Sequence, residues 1–374
     1  MNKSNSGLVA LLDGENRGTF AAGLAWMGKM FRSAFRRLKK LLVPEGRLGA
    51  PVDTDKLEFV ILAAGKSTRN YPHSKGLPHK SLVPFGSRKV IDHIMGQIIA
   101  AGGKHITIVV SEDDAMKAFQ QCFRREPEIE NKFTNKGNMV GLELLQSLYV
   151  PENVDIKYVM QPRPLGTGHA AGLAYESIRK TGRNIVMIWP DDIILSDRYA
   201  KFREDREPIY KRAVDKYVGE GGRGNVVITR YVSDPSRWGI VDGGYYREKP
   251  EHSRSHEAGV GFCIFDRDVC EEILKETKAV DRGEKVDGLV GGELTFIPAL
   301  NRVIDGSPKK MKIRTVPMQP TDIYLDCGSI EGYEKALLYT LLTESKFNAN
   351  NLKFIKRILP HVEAGVKRRE QDGG

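Results

Sequence analysis

The fold class is decided by one stretch, Phe59-Val60-Ile61-Leu62-Ala63-Ala64-Gly65-Lys66-Ser67-Thr68-Arg69. A β-rich apolar run passes directly into a loop of small residues, which is typical of a buried strand that ends at a phosphate-binding turn. Small side chains let backbone N–H groups close around phosphate oxygens, and an arginine adds a forked, permanently charged contact. The stretch therefore predicts a nucleoside triphosphate site. We assign to the nucleotide the loop residues Ala63, Ala64, Gly65, Ser67 and Thr68.

A different phosphate-binding loop has a similar ending. Gly65-Lys66-Ser67 matches the last half of a Walker A loop, whose full pattern needs a glycine five residues before Gly65. That position is Val60, and no convincing Walker B partner follows, so we reject a Walker A loop. An ordinary strand-to-helix turn remains the alternative for the loop taken alone.

Composition excludes several classes of protein. The chain has 374 residues, 40% of them hydrophobic, and a net charge of +10. Its four cysteines show no CxxC pairing and no framework spacing, so we expect reduced thiols and a cytoplasmic location. No apolar run approaches the roughly 18 residues that a membrane span needs. The positive charge lies mainly at the chain ends, and the central body lacks a basic, aromatic face, so we expect no nucleic-acid partner.

The sequence divides into an N-terminal extension over residues 1–55, a main domain over 56–345 and a basic C-terminal tail over 346–374. Apolar residues recur at helical spacing over residues 20–42, interleaved with basic ones, and this predicts a basic amphipathic helix. We favour packing of its apolar stripe on the main domain or on a second subunit. Peripheral contact with an anionic membrane surface is the alternative. We also expect a homo-oligomer.

The main domain alternates short β-rich runs with helical patterns. Predicted strands cover residues 58–62, 106–110, 156–160, 185–189, 225–232 and 260–266. Predicted helices cover residues 90–101, 168–180, 268–276 and 332–344. Strands that alternate with helices favour an α/β fold, with a mainly parallel sheet and helices on both faces. Ligands of such sheets bind outside the carboxyl ends of the strands.

Three further segments carry chemistry. Gln161 offers an acceptor and two donors, which can pair with the imide edge of a pyrimidine, and Gly166 and Gly168 would let the backbone approach a flat base. Asp191 follows an apolar strand, where a carboxylate without a partner is costly unless it binds a metal or a donor. Asp326 is a second, distant carboxylate, and two such aspartates can clamp one Mg²⁺ ion.

In this order the motifs resemble those of the sugar-1-phosphate nucleotidyltransferases, most closely the bacterial UTP–glucose-1-phosphate uridylyltransferase group. The similarity spans roughly residues 57–345. It rests on the segments Gly65–Arg69 with Pro72, Lys80–Pro84, Leu165–Ala170, Trp189–Asp191, Trp238–Val241, Glu248–Pro250, Gly291–Leu294 and Asp326–Gly328. Ordered motifs over such a span are far more specific than any one of them.

The resemblance implies a Rossmann-like nucleotide-diphospho-sugar transferase fold. It also implies Mg²⁺-dependent transfer of a uridylyl group from UTP to a sugar-1-phosphate, with glucose-1-phosphate the leading acceptor and pyrophosphate the second product. In the family's motifs Arg69 and Lys80 hold the triphosphate, and Asp191 and Asp326 hold Mg²⁺. The base would be read by Gln161, Gly166 and Thr167, and the sugar phosphate would be held by Lys249, with Glu248 and Gly239 on the sugar hydroxyls.

The chain departs from the family pattern at a few positions. Ser67 replaces a loop glycine. One extra residue lies between Arg69 and Lys80, so Lys75 is a second candidate for the role of Lys80. Leu165 and His256 stand where lysine and asparagine are frequent, which leaves the identity of the sugar open. We interpret His169 as a packing residue, because the expected chemistry needs no general base.

Three alternatives remain. A dTTP-dependent thymidylyltransferase would read its base with the same glutamine. A catalytically idle, nucleotide-binding relative is disfavoured because Arg69, Asp191, Lys249 and Asp326 are all present. A glycosyltransferase usually pairs its metal carboxylates as Asp-x-Asp, a spacing that is absent from Pro190-Asp191-Asp192-Ile193.

Overall fold

A computed structural model of the protein describes residues 54–196, 208–307, 311–343 and 345–371. These residues belong to one of the two compact units into which the chain divides. The helix predicted over residues 20–42 lies outside the described residues. No helix within the described ranges is long and apolar enough to cross a membrane.

Strands and helices alternate along the described chain. The strands are β1 (Leu57–Ala63), β2 (Pro84–Phe85), β3 (Arg88–Lys89), β4 (His105–Val110), β5 (Asp155–Met160), β6 (Asn184–Ile188), β7 (Asp192–Ser196), β8 (Asn225–Tyr231), β9 (Gly239–Asp242), β10 (Tyr245–Glu248), β11 (Glu257–Ile264), β12 (Leu289–Val290), β13 (Glu293–Leu294), β14 (Ile313–Pro317) and β15 (Asp322–Asp326). The helices are α1 (Val90–Ala100), α2 (Asp113–Phe123), α3 (Pro127–Asn135), α4 (Met139–Gln146), α5 (Thr167–Ile178), α6 (Ile209–Gly219), α7 (Arg267–Asp281), α8 (Ile297–Gly306), α9 (Ile330–Thr343) and α10 (Asn348–Gln371).

The main sheet has a parallel half and a mainly antiparallel half. Strands β6, β1, β4 and β5 are parallel neighbours in that order. Strand β11 pairs antiparallel with β6 and continues the sheet to β9 and β10, and it also pairs with β8, which carries β14. The predicted α/β class is therefore confirmed, with the parallel strands forming one half of the sheet, which ends at the edge strand β5.

A hydrophobic core covers each face of the sheet. The side chains of Phe59 and Ile61 belong to the core that includes α1, α2 and α6, whereas Val60 and Leu62 belong to the core that includes α5, α7 and α8. Successive side chains of a strand point to opposite faces, so a strand between two helical layers must be apolar throughout. Every residue of β1 is buried, as this requires.

A small antiparallel ladder joins two distant parts of the chain next to the main sheet. Strand β7 pairs with β15 over five residues, and Asp192 lies opposite Asp326 in the register. The pairing places the end of β15 beside the turn that follows β6. This ladder was absent from the sequence prediction.

The predicted strands and helices are confirmed in type, and their bounds differ by a few residues. The strand predicted over residues 260–266 runs from Glu257 to Ile264, and the helix predicted over 268–276 runs from Arg267 to Asp281. The basic C-terminal tail, for which no helix was predicted, contains α10. That helix includes Pro360, a residue that normally signals a helix end, which explains why the pattern was missed.

Candidate active site

Three predicted site segments follow the carboxyl ends of parallel strands. Arg69 lies in the segment after β1, Gln161 follows β5 directly, and Asp191 lies in the turn after β6. Because these strands belong to one parallel set, their carboxyl ends meet at the same edge of the sheet. The structure therefore brings these segments to one edge, as predicted.

The loop after β1 is buried at its base and open above. Ala63 and Ala64 are buried, whereas a Cβ atom added to Gly65 would meet no atom within 4 Å. Ser67 adopts a left-handed backbone conformation with φ 58°, and its hydroxyl accepts a 3.0 Å hydrogen bond from the backbone N–H of Lys80. The serine that replaces a family glycine thus ties the loop to the segment that carries Lys80.

Two cations of the site differ in their partners. The ammonium group of Lys80 forms an ion pair with the Asp191 carboxylate, and both side chains are largely buried. Arg69 is exposed and, within the described ranges, forms no ion pair or side-chain hydrogen bond. Lys75 is also exposed, and it is Lys80 that reaches the carboxylate. The guanidinium of Arg69 is therefore available to an anionic ligand above the loop.

Asp191 and Asp326 lie side by side. The backbone carbonyl of Asp191 accepts a 2.8 Å hydrogen bond from the N–H of Cys327, and Asp326 Oδ1 accepts a 2.7 Å bond from the N–H of Gly328. A Cβ atom added to Gly328 would lie 2.3 Å from Asp191 Oδ2 and 3.0 Å from Asp326 Oδ1. The two oxygens are therefore no further apart than the sum of these distances, and only a glycine leaves room between them.

This pair of carboxylates fits Mg²⁺. That ion is bound in proteins by one or two carboxylates, and it takes its other ligands from water and substrate phosphates. The described part of the chain contains no group of three or more His, Cys, Asp or Glu side chains placed to hold a metal. Two carboxylates beside an open phosphate loop are the donor set that an ion shared with a triphosphate needs.

Negative charge accumulates around the pair. Burial, and next the charge of Asp191, raise the pKa of Asp192 to about 7. The hydroxyl of Tyr324 opposes this shift by donating a 2.6 Å hydrogen bond to Asp192 Oδ1. A raised carboxyl pKa beside two further carboxylates indicates local negative charge, which favours a bound cation.

His79 lies next to Lys80 and is fully buried in a neutral form. Its Nδ1 atom accepts a 3.1 Å hydrogen bond from the N–H of Ser81, and its Nε2 atom has no hydrogen-bond partner. Burial, assisted by the charge of Lys80, lowers the pKa of His79 to about 3. Protonation of this ring therefore opposes folding.

This burial predicts a pH dependence of stability. The unfolded chain protonates this histidine below about pH 6.5, whereas the folded protein does so only near the lowered pKa of about 3. The free energy of unfolding should therefore be unaffected by His79 above pH 6.5, and should fall by up to about 1.4 kcal/mol per pH unit as the pH decreases from there. Urea unfolding between pH 4 and 8 measures this slope. His79→Asn keeps an acceptor for Ser81 and cannot be protonated, so its slope should be shallower; an unchanged slope would contradict the assignment.

Gln161 is held by a chain of polar contacts. Its Nε2 atom donates to the backbone carbonyl of Gly166 at 3.1 Å and to His169 Nδ1 at 3.1 Å. His169 Nε2 lies 3.2 Å from Asp281 Oδ1, which also accepts from Arg163 at 2.9 Å. With both amide hydrogens used, the Oε1 atom of Gln161 is left as the acceptor for a ligand. His169 is buried in the first turn of α5, which agrees with its interpretation as a packing residue, and its ring also contacts the Gln161 amide.

The structure explains why glycine occupies positions 166 and 168, and the reason differs from the predicted one. Gly166 has φ 94°, and a Cβ atom there would lie 2.5 Å from the carbonyl oxygen of Leu294. A Cβ atom on Gly168 would lie 2.8 Å from the backbone of Thr295. The glycines were expected to let the backbone approach a base, and the close approach observed is to the β13 segment.

The residues expected to contact the sugar lie together on the β9–β10 hairpin. Gly239 pairs with Glu248, and Lys249 follows at the end of β10. The N–H of Lys249 donates a 3.0 Å hydrogen bond to the carbonyl of Trp238, and Lys249 has a left-handed conformation with φ 41°. Such a conformation is uncommon outside glycine and often marks a functional position. His256 Nδ1 lies 2.8 Å from the carbonyl oxygen of Val232.

Comparisons with known proteins identify the family to which the chain is similar. The sequence model of the family described as "Nucleotidyl transferase" matches residues 58–288. The chain is 25% identical over 319 residues to the UTP–glucose-1-phosphate uridylyltransferase of Salmonella typhimurium, which covers 81% of this chain and 98% of the relative. It is 28% identical over 186 residues to the protein of that name from Bacillus subtilis, covering 49% and 57%.

Solved structures share the fold. A UDP-glucose pyrophosphorylase from Acinetobacter baumannii aligns with a TM-score of 0.65 at 22% identity, covering 80% of this chain and 99% of that one. A structure from Bacillus anthracis named "Putative Glucose-1-Phosphate Thymidylyltransferase" aligns with a TM-score of 0.54 at 20% identity. The alignment covers 76% of this chain and 94% of that one. At these identities the likeness establishes the architecture.

Proposed function

The chain belongs to the nucleotidyl transferase family, and on that premise we propose that it transfers a uridylyl group from UTP to a sugar-1-phosphate. Glucose-1-phosphate is the leading acceptor, and UDP-glucose and pyrophosphate are the products. The observation that carries the proposal is the Lys80–Asp191 ion pair, placed beside Asp326 at the open phosphate loop. The names of the curated relatives supply the nucleotide and the sugar.

The reaction exchanges one phosphoester bond for another. A phosphate oxygen of the sugar-1-phosphate attacks the α-phosphorus of UTP, a new P–O bond forms, and the bond to the β-phosphate breaks with release of pyrophosphate. Because the attacking phosphate is already ionised, no protein group has to remove a proton. The work of the protein is to place two anions in line and to offset their repulsion.

Each charged residue has a part in this scheme. Arg69 and Lys80 bind the triphosphate, and Lys80 exchanges its bond to Asp191 for one to a phosphate oxygen. Asp191 and Asp326 would hold Mg²⁺, which supplies neutralisation of the phosphate charge when bound. Lys249, with Glu248 and Gly239, positions the sugar-1-phosphate. The released Asp191 carboxylate is then free to serve as a metal ligand.

Base recognition is assigned to Gln161, with Gly166 and Thr167 beside it. The Oε1 atom of Gln161 accepts a hydrogen bond from the imide N–H of uracil. The contact between Gln161 Nε2 and His169 fixes the amide so that Oε1 is presented as the acceptor. Thymine carries the same imide edge, so dTTP is the second candidate nucleotide.

Pyrophosphate release tests the proposal. Purified full-length protein is incubated with Mg²⁺, glucose-1-phosphate and UTP, dTTP, ATP, CTP or GTP in turn. We expect release with UTP, a weaker signal with dTTP and none with the purine nucleotides. Release only with another sugar-1-phosphate would retain the chemistry and change the sugar. Silence from folded protein that binds UTP would favour a catalytically idle member of the family.

Substitution of Gln161 tests base recognition. Gln161→Leu removes the acceptor for the imide N–H, so the KM for UTP should increase by roughly tenfold to a hundredfold while kcat changes little, since this contact is the same in the bound and transition states. Initial rates at saturating glucose-1-phosphate measure both constants. Gln121→Leu, on the exposed surface of α2, is the matched control. A KM for UTP that stays at the wild-type value would remove Gln161 from the base site.

A further inference from the structure

Arg230, at the end of β8, is held by two aromatic rings. Its guanidinium carbon lies 4.6 Å from the ring centroid of Trp238 and 4.5 Å from that of Tyr324. The two rings meet edge to face at an interplanar angle of 78°, so the guanidinium lies in the corner between them. Contacts of this kind fix the plane of an arginine and leave its N–H groups free to donate.

No anion accompanies this half-buried cation. Within the described ranges Arg230 forms no ion pair and no side-chain hydrogen bond, and its Nε atom is buried without a partner. Three other half-buried arginines contact a carboxylate, namely Arg183 with Glu58, Arg212 with Asp322 and Arg302 with Glu276. A guanidinium partly withdrawn from water without an anion is costly, and no described residue supplies one to Arg230, so its position suits an anionic ligand.

The corner lies between the two halves of the candidate site. The backbone carbonyl of Trp238 accepts a 3.0 Å hydrogen bond from the backbone N–H of Lys249. Tyr324 donates to Asp192 at 2.6 Å, next to the expected Mg²⁺ ligand Asp191. The backbone of Trp238 and the hydroxyl of Tyr324 are therefore each hydrogen-bonded to a residue at or next to the candidate site. A sugar-1-phosphate held by Lys249 and directed toward Asp191 would pass this corner.

We propose that Arg230 binds an oxyanion of the sugar substrate. The inference rests on the proposed function and adds a specificity residue to it. The oxyanion has two sources, namely the 1-phosphate that every acceptor carries, or a C6 carboxylate that only a uronic acid 1-phosphate carries. In either case the planar donors of Arg230 bind two oxygens of one group.

Kinetics of two variants test the proposal. Arg230→Met keeps an apolar stem between the rings and removes every donor, so the KM for the sugar-1-phosphate should increase about 10- to 100-fold while the KM for UTP stays within about twofold. Arg230→Lys retains the charge without the forked donors, so its KM for the sugar-1-phosphate should lie between those of wild type and Arg230→Met. Arg125→Met is the matched control, because Arg125 also lies over a tyrosine, Tyr149, but on the α2–α3 connection, which carries no candidate site residue. If the KM values for both glucose-1-phosphate and glucuronate-1-phosphate are unchanged in Arg230→Met and in Arg230→Lys, the proposal is overturned.

The choice of sugar separates the two sources. With glucose-1-phosphate and glucuronate-1-phosphate compared in wild type and in Arg230→Met, binding of the 1-phosphate raises both KM values equally. Binding of a carboxylate raises the KM for glucuronate-1-phosphate alone and removes a wild-type preference for it. Either pattern supports the proposal and names the group.

A binding measurement keeps this test apart from the proposed function. Trp238 lies against Arg230, so tryptophan fluorescence should report glucose-1-phosphate or glucuronate-1-phosphate without turnover. If wild-type protein turns over no nucleotide, the proposed function fails, and the inference is then judged by binding alone. Saturable binding to wild type that Arg230→Met weakens at least tenfold supports it. If each of the two sugar phosphates binds equally to wild type and to Arg230→Met, or if neither binds to wild type, the inference is overturned.

Discussion

Replacement of Asp191 with asparagine is expected to lower kcat by about 1,000-fold and to leave the fold intact. The neutral amide has the shape of the carboxylate, and the backbone carbonyl that accepts from Cys327 is unchanged. What is lost is one of the two proposed carboxylate ligands for Mg²⁺ and the anionic partner of Lys80. Pyrophosphate release at saturating substrates measures kcat, and thermal unfolding measures the fold.

A metal readout separates this role from a merely structural one. Mn²⁺ in place of Mg²⁺ can be titrated by its electron paramagnetic resonance signal in the presence of UTP, and Asp191→Asn should bind it at least about tenfold more weakly. Asp55→Asn breaks another lysine–aspartate pair, 2.9 Å from Lys104 and exposed at the start of the described chain, and should change neither quantity. Full activity of Asp191→Asn with wild-type affinity for Mn²⁺ would take Asp191 out of the metal site.

The parts of the fold that were predicted correctly are those specified by short, local sequence patterns. Strand β1 is buried on both faces, so its sequence is apolar except for Glu58, which pairs with Arg183, and the small-residue loop after it can be identified without knowledge of its neighbours. The same holds for α1 and α5, where helical spacing and flanking turn residues fall within one short window. The candidate phosphate loop and the end of β6 were therefore predictable.

Pairings between distant residues were not predictable in this way. The β7–β15 ladder joins Asp192 to Asp326, and no property of either short strand specifies the other. His169 and Asp281 are likewise brought together only by the packing of α5 on α7, so the polar chain behind Gln161 has no sequence signature. Sequence motifs identified the carboxylates, whereas their common position depends on these pairings.

Gly328→Ala is expected to lower kcat by at least about 100-fold, although glycine has no side chain with which to bind anything. The added methyl group would have to occupy a point 2.3 Å from Asp191 Oδ2, so the carboxylate must rotate away from Asp326. The pair would then no longer face one ion. The change is small and lies at the edge of the core, so thermal unfolding should shift by only a few degrees.

Gly96→Ala provides the matched control for this substitution. Gly96 lies within α1, and a Cβ atom there would meet nothing within 4 Å. The control should keep wild-type kcat and gain up to about 1 kcal/mol of stability, because alanine is the better helix former. For Gly328→Ala, loss of activity must be accompanied by weaker Mn²⁺ binding, since the steric argument acts only through the carboxylates. Lost activity with unaltered Mn²⁺ affinity would refute it and would place the defect in the phosphate loop, which Asn70 ties to the carbonyl of Cys327.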